Sequence, residues 1–167
     1  MSDTIYPLPA FYFTLRVLDK REIEITRADI DASFQEISGI EAEMDTETVA
    51  EGGENRFVHR LPKAPRYRNL VLKRGVTTQH SFLVEWVSKS LLSGLTAIQT
   101  HDVLVMLLNE SGAPAMTWIF SDAYPVKYSV SPMNSQEDKL LIETLELAYS
   151  HFTQIVTAAE QGNPQGH

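Results

Sequence analysis

FQEISGIEAEMDTETV, residues 34–49, is the most informative part of the chain because its residues alternate in polarity. Ser38-Gly39 interrupts the run and predicts a bulge or bend there. After Gly39 the period is two, whereas a helix would scatter the acidic residues around its circumference. We therefore predict a strand with a wet face and a neutral-to-apolar face. The acid row is Glu41, Glu43, Asp45 and Glu47; opposite it are Ile40, Ala42, Met44, Thr46 and Thr48.

A turn-forming cluster and a long basic segment follow this strand. Glu51 to Asn55 is rich in Gly and polar residues, as turns are. The next residues, 56–66, are rich in Arg, His and Pro and predict a loop longer than an ordinary hairpin connection. Tyr67 to Val76 alternates again and predicts another strand. Long ordered loops usually carry function, which makes 56–66 a candidate functional segment.

The rest of the chain predicts more strands and one helix. We expect a mainly β fold with one α-helix, built as an antiparallel barrel or sandwich in a single domain, 1–167. Its core spans about 11–152, and 153–167 form a flexible tail. Lys139 to Phe152 fits either a helix or a strand. The predicted elements are strands at Phe11–Leu18 and Val126–Val130, a short one around Ile23–Thr26, a hairpin of Val103–Leu108 with Ala115–Ser121, and a helix at Ser81–Ser93.

Composition excludes several classes of protein. The chain has no cysteine, which removes disulfides, thiol catalysis and Cys-ligated zinc. Its formal charge is −8, with 14 Lys and Arg against 22 Asp and Glu, so no basic stripe is available for broad nucleic-acid binding. The longest apolar run, Val103 to Leu108, is too short to cross a bilayer, and we expect no membrane insertion.

Motifs that would indicate catalysis are missing from the sequence. The five histidines form no HxH or HExxH pair, and His101-Asp102 is a weak metal-like dipeptide. No nucleophile elbow and no phosphate-binding glycine motif is present. The acid row is evenly spaced on one strand face, which favours a solvated surface over a catalytic pair. We expect no enzymatic activity, no metal and no cofactor.

Several segments in order resemble the phage tail tube protein family, which includes inner-tube proteins of extracellular contractile injection systems. The likeness covers about 11–152. Asp19 to Ser33 is longer than the corresponding family segment, and Lys63 stands where a glycine commonly follows Leu-Pro. The segments that carry the resemblance are Phe34–Ile40, Glu51–Asn55, Leu61-Pro62, Tyr67–Val76, the helix with Trp86 and, weakly, Trp118–Phe120 and Glu143–Leu147.

The resemblance implies a structural role. Such proteins form six-membered rings that stack into a hollow tube, and two long hairpins from each subunit join those of its neighbours and line the channel. Lys139–Phe152 would then be a strand. The implied partners are further copies of the chain, a sheath protein, baseplate or initiator and cap proteins, and cargo protein or DNA in the lumen. The protein would be made in the bacterial cytoplasm and assembled into a virion or a releasable phage-tail-like particle.

Applied to this chain, the resemblance suggests two sets of site residues. If 34–49 and 67–76 are the channel hairpin, its wet face would give a strongly negative bore, and the loop 51–66 at the rim would contact the next ring. The channel-lining set is Glu41, Glu43, Asp45, Glu47, Asn69 and Lys73. The ring-stacking set is Glu51, Gly52, Gly53, Asn55, Arg56, Phe57, His59, Arg60, Pro62, Lys63 and Arg66.

The sequence leaves three different functions open. A tube-initiator or baseplate paralogue would have the same fold and the same sequence patterns. A monomeric ligand-binding β-barrel would have an apolar interior pocket. A hydrolase using the acid row would need a pocket that raises the pKa of one carboxyl group.

Overall fold

Antiparallel strands dominate the computed structural model, which describes residues 12–18, 30–31, 34–49, 59–76, 82–93, 97–133 and 140–156. The helix, α1, is Phe82–Val87 and continues as a π-helical turn, Ser88–Leu92. The strands are β1 Tyr12–Leu18, β2 Ile30–Asp31, β3 Phe34–Ser38, β4 Ala42–Val49, β5 His59–Tyr67, β6 Leu70–Gly75, β7 His101–Leu108, β8 Pro114–Val130, β9 Ile142–Ala148 and β10 His151–Val156.

Strand β8 joins the two parts of the main sheet. Its first half pairs with β7 on one side and β10 on the other, and its second half pairs with β9. The strand order is β2-β1-β7-β8-β9-β6-β3, with every pair antiparallel. Within the described residues these strands do not close into a barrel. The predicted class, mainly β with one helix, is confirmed.

A bend in β8 turns the chain from one half of the sheet to the other. Asp122 has a positive φ of 55°, and its amide donates to Asp102 Oδ1 at 3.0 Å. Opposite the bend, the Ser150 amide donates to the Ser121 carbonyl at 2.9 Å, between β9 and β10. The predicted separate strand at Val126–Val130 is therefore wrong: these residues continue β8 beyond Pro125, with a register shift after that proline.

The core lies where the sheet halves and the helix face one another. Alternate residues of each strand point inward, and Leu83, Trp86 and Val87 of α1 cover them. The Trp86 indole also donates to the Gln99 carbonyl at 2.9 Å. The strand residues of this hydrophobic cluster are Leu15, Val17, Phe34, Leu70, Leu72, Val103, Val105, Phe120, Ala123, Leu145 and Leu147.

Several predicted elements can be compared directly with the structure. The first strand, the hairpin and the helix are confirmed as β1, β7–β8 and α1. Within 139–152, Ile142–Ala148 forms a strand, β9, as the resemblance implied, but the chain turns at Tyr149 and Ser150, and His151 begins β10. The expected flexible tail from 153 is wrong at its start, since β10 continues to Val156. The expected strand around 23–26 and the tail residues 157–167 lie outside the described residues.

One ion pair is buried in the core, beneath α1. Arg74 is 2% exposed, and its Nε donates to Glu143 Oε1. The Tyr128 hydroxyl donates to Glu143 Oε2 at 3.0 Å, and burial together with this bond raises the pKa of Tyr128. The Arg74 guanidinium also lies 5.2 Å from the centre of the Phe34 ring. The carboxylate is therefore paired as well as hydrogen-bonded, as burial of a charge requires.

Replacing Arg74 by Met should leave Glu143 buried without its cation and lower the free energy of unfolding by about 3–5 kcal/mol. The matched control is Lys127→Met, which removes the exposed Lys127–Glu146 pair, 2.9 Å apart, and should cost less than about 1 kcal/mol. Urea denaturation of both variants measures the difference. Equal losses would contradict a structural role for the buried pair.

A projecting ribbon as the candidate functional site

Strands β4 and β5 form a two-stranded ribbon that is separate from the main sheet. They pair from Ala42↔Tyr67 to Val49↔His59. At about 3.4 Å per residue, the eight residues of β4 extend roughly 27 Å. Apart from Asp45 and Tyr67, every residue of the two strands is exposed. A ribbon with both faces exposed has little stability of its own.

The ribbon corrects two predictions about the basic segment. His59 to Arg66 was expected as a loop, but these residues belong to β5. The resemblance suggested that 34–49 and 67–76 form the channel hairpin, but β6 pairs with β3 and β9, and the strand that pairs with β4 is β5. Pro62 and Pro65 suggested a loop because proline cannot donate to a central ladder. In a two-stranded ribbon each strand has a free edge, so a proline nitrogen can face outward without losing a bond.

Gly39 forms the joint between the body and the ribbon. Its φ is +86°, and a Cβ at this position would lie 2.0 Å from the Asn69 carbonyl oxygen. Only glycine combines this conformation with such a close approach. The predicted bend at Ser38-Gly39 is confirmed, and it marks where the pairing changes from β3–β6 to β4–β5.

An aromatic cluster fixes the base of the ribbon to the body. The ring of Tyr67, the last residue of β5, lies 5.9 Å from Tyr149 and 5.7 Å from Phe152, centre to centre. Tyr149 also contacts the buried Phe120 at 4.9 Å. Its hydroxyl is buried and has no hydrogen-bond partner among the described residues. Burial, and secondarily the nearby Tyr67, raises the pKa of Tyr149 to about 12.

The acid row lies on the ribbon and is matched by cations. Glu41 Oε2 is 3.2 Å from Arg68 Nε, Asp45 pairs with Arg66, and Glu47 Oε2 is 3.7 Å from Lys63 Nζ. Glu43 lies directly opposite Arg66. Residues 41–49 carry four acids; of the four Arg and Lys in residues 59–68, Arg60 lies across from Thr48 on the other face of the ribbon. Lys63 and Arg66 of β5, together with Arg68, therefore offset part of the charge of the acid row in the isolated subunit, and the strongly negative bore of an assembled ring stays a prediction.

The opposite face of the ribbon is neutral to apolar. Met44 lies across from Pro65, and Thr46 across from Pro62, so these residues share a face; Thr48 and Arg60 extend the same face. Met44 is 55% exposed. The ribbon therefore has one face of paired charges and one face that is neutral to apolar except at Arg60.

The remaining channel-lining candidates, Asn69 and Lys73, lie on the body. Lys73 Nζ donates to Glu36 Oε1 at 2.8 Å, and Asn69 Nδ2 is 3.5 Å from Glu146 Oε2. Lys127 Nζ donates to Glu146 Oε1 at 2.9 Å. These contacts lower the pKa of Glu146, Lys127 making the largest contribution. The outer face of β6, β8 and β9 thus carries paired charges like the ribbon's charged face.

Sequence reasoning missed Glu36, Lys127 and Glu146 in this polar face. Glu36 belongs to the FQEIS segment and could have been found from it. Lys127 and Glu146 are opposite each other across β8 and β9, which only the register reveals. The predicted residues Glu51, Gly52, Gly53, Asn55, Arg56 and Phe57 lie outside the described residues; His59, Arg60, Pro62, Lys63 and Arg66 lie on β5.

Other kinds of site find little support in the part of the chain that the structure describes. It contains no cluster of three His, Asp or Glu side chains placed to hold a metal ion. No described helix has the length and hydrophobicity to span a bilayer. An apolar groove of about 130 Å³ lies between α1 and the sheet, with Arg74 and Glu143 among its lining residues.

Comparison with protein families identifies the fold. The family model described as T4-like virus tail tube protein gp19 matches residues 9–153. The chain belongs to the tail tube protein family. No curated protein sequence gives a significant match to the chain.

Solved structures with the same fold agree with this assignment. A chain of the cryo-EM structure of the anti-feeding prophage (AFP) baseplate is 29% identical, with a TM-score of 0.76, and the match covers 95% of this chain and 100% of that one. A chain of the PVC sheath-tube complex in the extended state, from an extracellular contractile injection system, is 21% identical (TM-score 0.74; 92% and 95% covered). Hcp1 from Flavobacterium johnsoniae is 18% identical (TM-score 0.53; 86% and 94% covered). The resemblance inferred from the sequence is confirmed.

Gly39→Ala tests the joint of this tail tube protein. We expect a loss of about 2–4 kcal/mol in unfolding free energy, because the methyl group meets a backbone carbonyl in addition to the unfavourable φ. Gly112→Ala is the matched control: its φ is +80°, but nothing lies within 4 Å of the added Cβ, so it should cost only about 1–2 kcal/mol. Denaturation curves compare the two, and similar losses would contradict the close approach at Asn69.

Tyr149→Phe should leave stability at neutral pH unchanged or raise it by about 1 kcal/mol, because it removes a buried hydroxyl that has no partner among the described residues. The pKa of Tyr149 is raised from 10.0 to about 12 in the folded state, so the folded wild type holds this proton more tightly than the unfolded chain does. The stability that comes from this difference is lost as the pH rises from about 10 to 12. Denaturation at several pH values should therefore show a smaller alkaline decline in the variant. Tyr128→Phe, which removes the bond to Glu143, should instead destabilise at neutral pH. A clear loss in Tyr149→Phe at neutral pH would refute the prediction.

Proposed function

We propose that this chain is the inner-tube subunit of a contractile phage tail or a phage-tail-like injection system, and that it forms stacked hexameric rings around a cargo channel. The observation that supports this most strongly is the ribbon, exposed on both faces in a chain of the tail tube family. Such a ribbon needs a surface from another molecule to become stable. Further copies of the same chain supply that surface in a closed ring.

Unpaired strand edges supply the means of lateral assembly. Among the described residues, β4 and β5 each have a strand partner on one side only, and so does β10. A row of unpaired backbone groups invites pairing with another chain. In a ring, each edge meets an edge of its neighbour, so that the sheet continues from subunit to subunit. Repetition around a closed ring leaves no edge free to aggregate.

The face of paired charges is our candidate for the channel wall. It combines Glu36, Asn69, Lys73, Lys127 and Glu146 on the body with the acid row and its cation partners on the ribbon. A wall whose charges are already paired attracts cargo of either sign only weakly, which favours sliding. It also lacks a basic stripe that would hold the phosphates of DNA.

The assembly would involve a sheath around the tube and baseplate and cap proteins at its ends. Structures similar to this chain come from a sheath-tube complex, a baseplate and a tube-terminating cap. Protein or DNA would occupy the lumen. We infer assembly in the bacterial cytoplasm, followed by release of the particle.

A tube-initiator or baseplate paralogue is the second candidate. The AFP baseplate chain is 29% identical to this one, against 21% for the sheath-tube chain. Both functions use the same fold, so they differ in copy number rather than in chemistry. Many copies along the length of purified particles would support the main tube subunit, whereas a single ring would support the initiator.

A hydrolase and a monomeric ligand-binding barrel receive less support from the ribbon. Three of the four carboxylates of the acid row form ion pairs on an exposed surface, so they lack the enclosed setting that catalysis needs. A monomeric ligand-binding protein would have no use for the exposed ribbon.

Met44→Asp tests assembly through the ribbon. Because Met44 is exposed in the isolated subunit, the variant should fold normally, yet a carboxylate on the buried face of an interface should abolish rings. Ile98→Asp is the control, since Ile98 is 56% exposed but lies outside the ribbon. Light scattering and negative-stain microscopy of the wild type and both variants measure the outcome. A wild type that stays monomeric, or Met44→Asp tubes of normal length, would contradict the proposal.

A further inference from the structure

Methionine side chains are the most readily oxidised groups that this chain offers, because it contains no cysteine. Four of its five methionines lie within the described residues. Met106 and Met116 are half-buried in the main sheet, and the sulfur of Met116 accepts a hydrogen bond from Gln154 Nε2 at 3.2 Å. Met44 is 55% exposed and Met133 76%. These two thioethers are therefore the ones that an oxidant in solution reaches most easily.

Met44 differs from Met133 in its position in the fold. It lies in the middle of β4, across from Pro65, on the neutral-to-apolar face of the ribbon. The pairing of β4 with β5 shifts register just after it, between Met44 and Thr46. An unbranched thioether adapts to an irregular surface of this kind, and Met is enriched in contacts between proteins. Met133 follows the end of β8 and lies outside the ribbon.

Oxidation by a peroxide would change Met44 from an apolar to a polar side chain. The thioether sulfur takes one oxygen atom from hydrogen peroxide, so the sulfur is oxidised to a sulfoxide and the peroxide is reduced to water. On the free subunit the sulfoxide oxygen is solvated, so the fold should stay intact. In a contact with another copy it would lose this water, which is unfavourable unless a donor replaces it.

We propose that Met44 is an oxidation-sensitive switch of assembly. Its sulfoxide keeps a free subunit out of the ring, and the ring protects the thioether of each subunit that it already contains. This inference rests on the proposed function, because it requires a neighbouring copy to cover the ribbon. A closed ring repeats the same contact in every subunit, so the unfavourable effect recurs around it. Methionine sulfoxide reductases, with a dithiol as reductant, convert the sulfoxide back to the thioether and make the switch reversible.

Competition between oxidised and unoxidised subunits in one sample tests the switch. Wild-type subunits are partly oxidised with hydrogen peroxide and allowed to assemble, and tubes are separated from unassembled protein by sedimentation. Peptide mass spectrometry should find Met44 sulfoxide roughly tenfold scarcer in tubes than in the unassembled fraction. Met133 sulfoxide, the internal control, should divide evenly. An even division of Met44 sulfoxide would overturn the proposal, and so would an equal depletion of Met133 sulfoxide, which would indicate general damage.

Two matched variants assign the effect to one sulfur. Met44→Leu keeps an apolar side chain of similar size and should assemble equally well with and without peroxide treatment. Treated wild type and treated Met133→Leu should both give roughly tenfold fewer tubes than their untreated forms. Methionine sulfoxide reductases with a dithiol should restore assembly of the treated wild type. Treated Met44→Leu that assembles as poorly as treated wild type, or a loss that the reductases do not reverse, would refute the switch.

Protection by the ring has its own measurement. Met44 should be oxidised roughly tenfold more slowly in assembled tubes than in subunits treated before assembly, and equal rates would contradict the proposal. If untreated wild type forms rings and tubes while these tests fail, the proposed function stands and only the switch is refuted. Untreated wild type that forms neither rings nor tubes would refute both.

Discussion

A two-stranded β-ribbon has no interior, and this constraint governs the whole molecule. The β4–β5 ribbon is exposed on both faces, so no hydrophobic core of its own holds it extended. The subunit itself fixes only the end of the ribbon that joins the body. Gly39 sets the angle of exit through a conformation only glycine tolerates well, and Tyr67 fixes the returning strand to Tyr149 and Phe152. The rest of the stabilisation has to come from another molecule, which is the physical basis for assigning a structural subunit.

Charge pairing across strands is the second organising feature. The acid row pairs with Lys63 and Arg66 of β5 and with Arg68, and the body repeats the arrangement with Lys73–Glu36 and Lys127–Glu146. Exposed pairs of this kind add little to stability. Their effect is on the electrostatic field: neighbouring opposite charges cancel at distances beyond a Debye length of about 8–10 Å. The surface stays hydrophilic while offering no strong attraction to anionic or cationic cargo.

Sequence reasoning succeeded where a local pattern determines the structure. The period of two after Gly39 predicted β4, the glycine predicted the bend, and the spacing of apolar residues predicted α1. It failed where tertiary context overrides local signals. Prolines at 62 and 65 indicated a loop, but a ribbon edge accommodates them within β5. Pro125 suggested a new strand, but a register shift absorbs it within β8. The ion pairs of the polar face depend on register between distant strands, which no local pattern contains.

The central claim is that neighbouring copies complete the ribbon, and hydrogen–deuterium exchange of its backbone amides tests it most directly. In a monomeric form such as Met44→Asp, amides of residues 42–49 and 59–67 should exchange fast, while those of β7 and the first half of β8 stay protected. In assembled wild-type tubes the ribbon amides should become protected to a similar degree as the body. Ribbon amides already protected in the monomer, or equally fast in both states, would contradict the account.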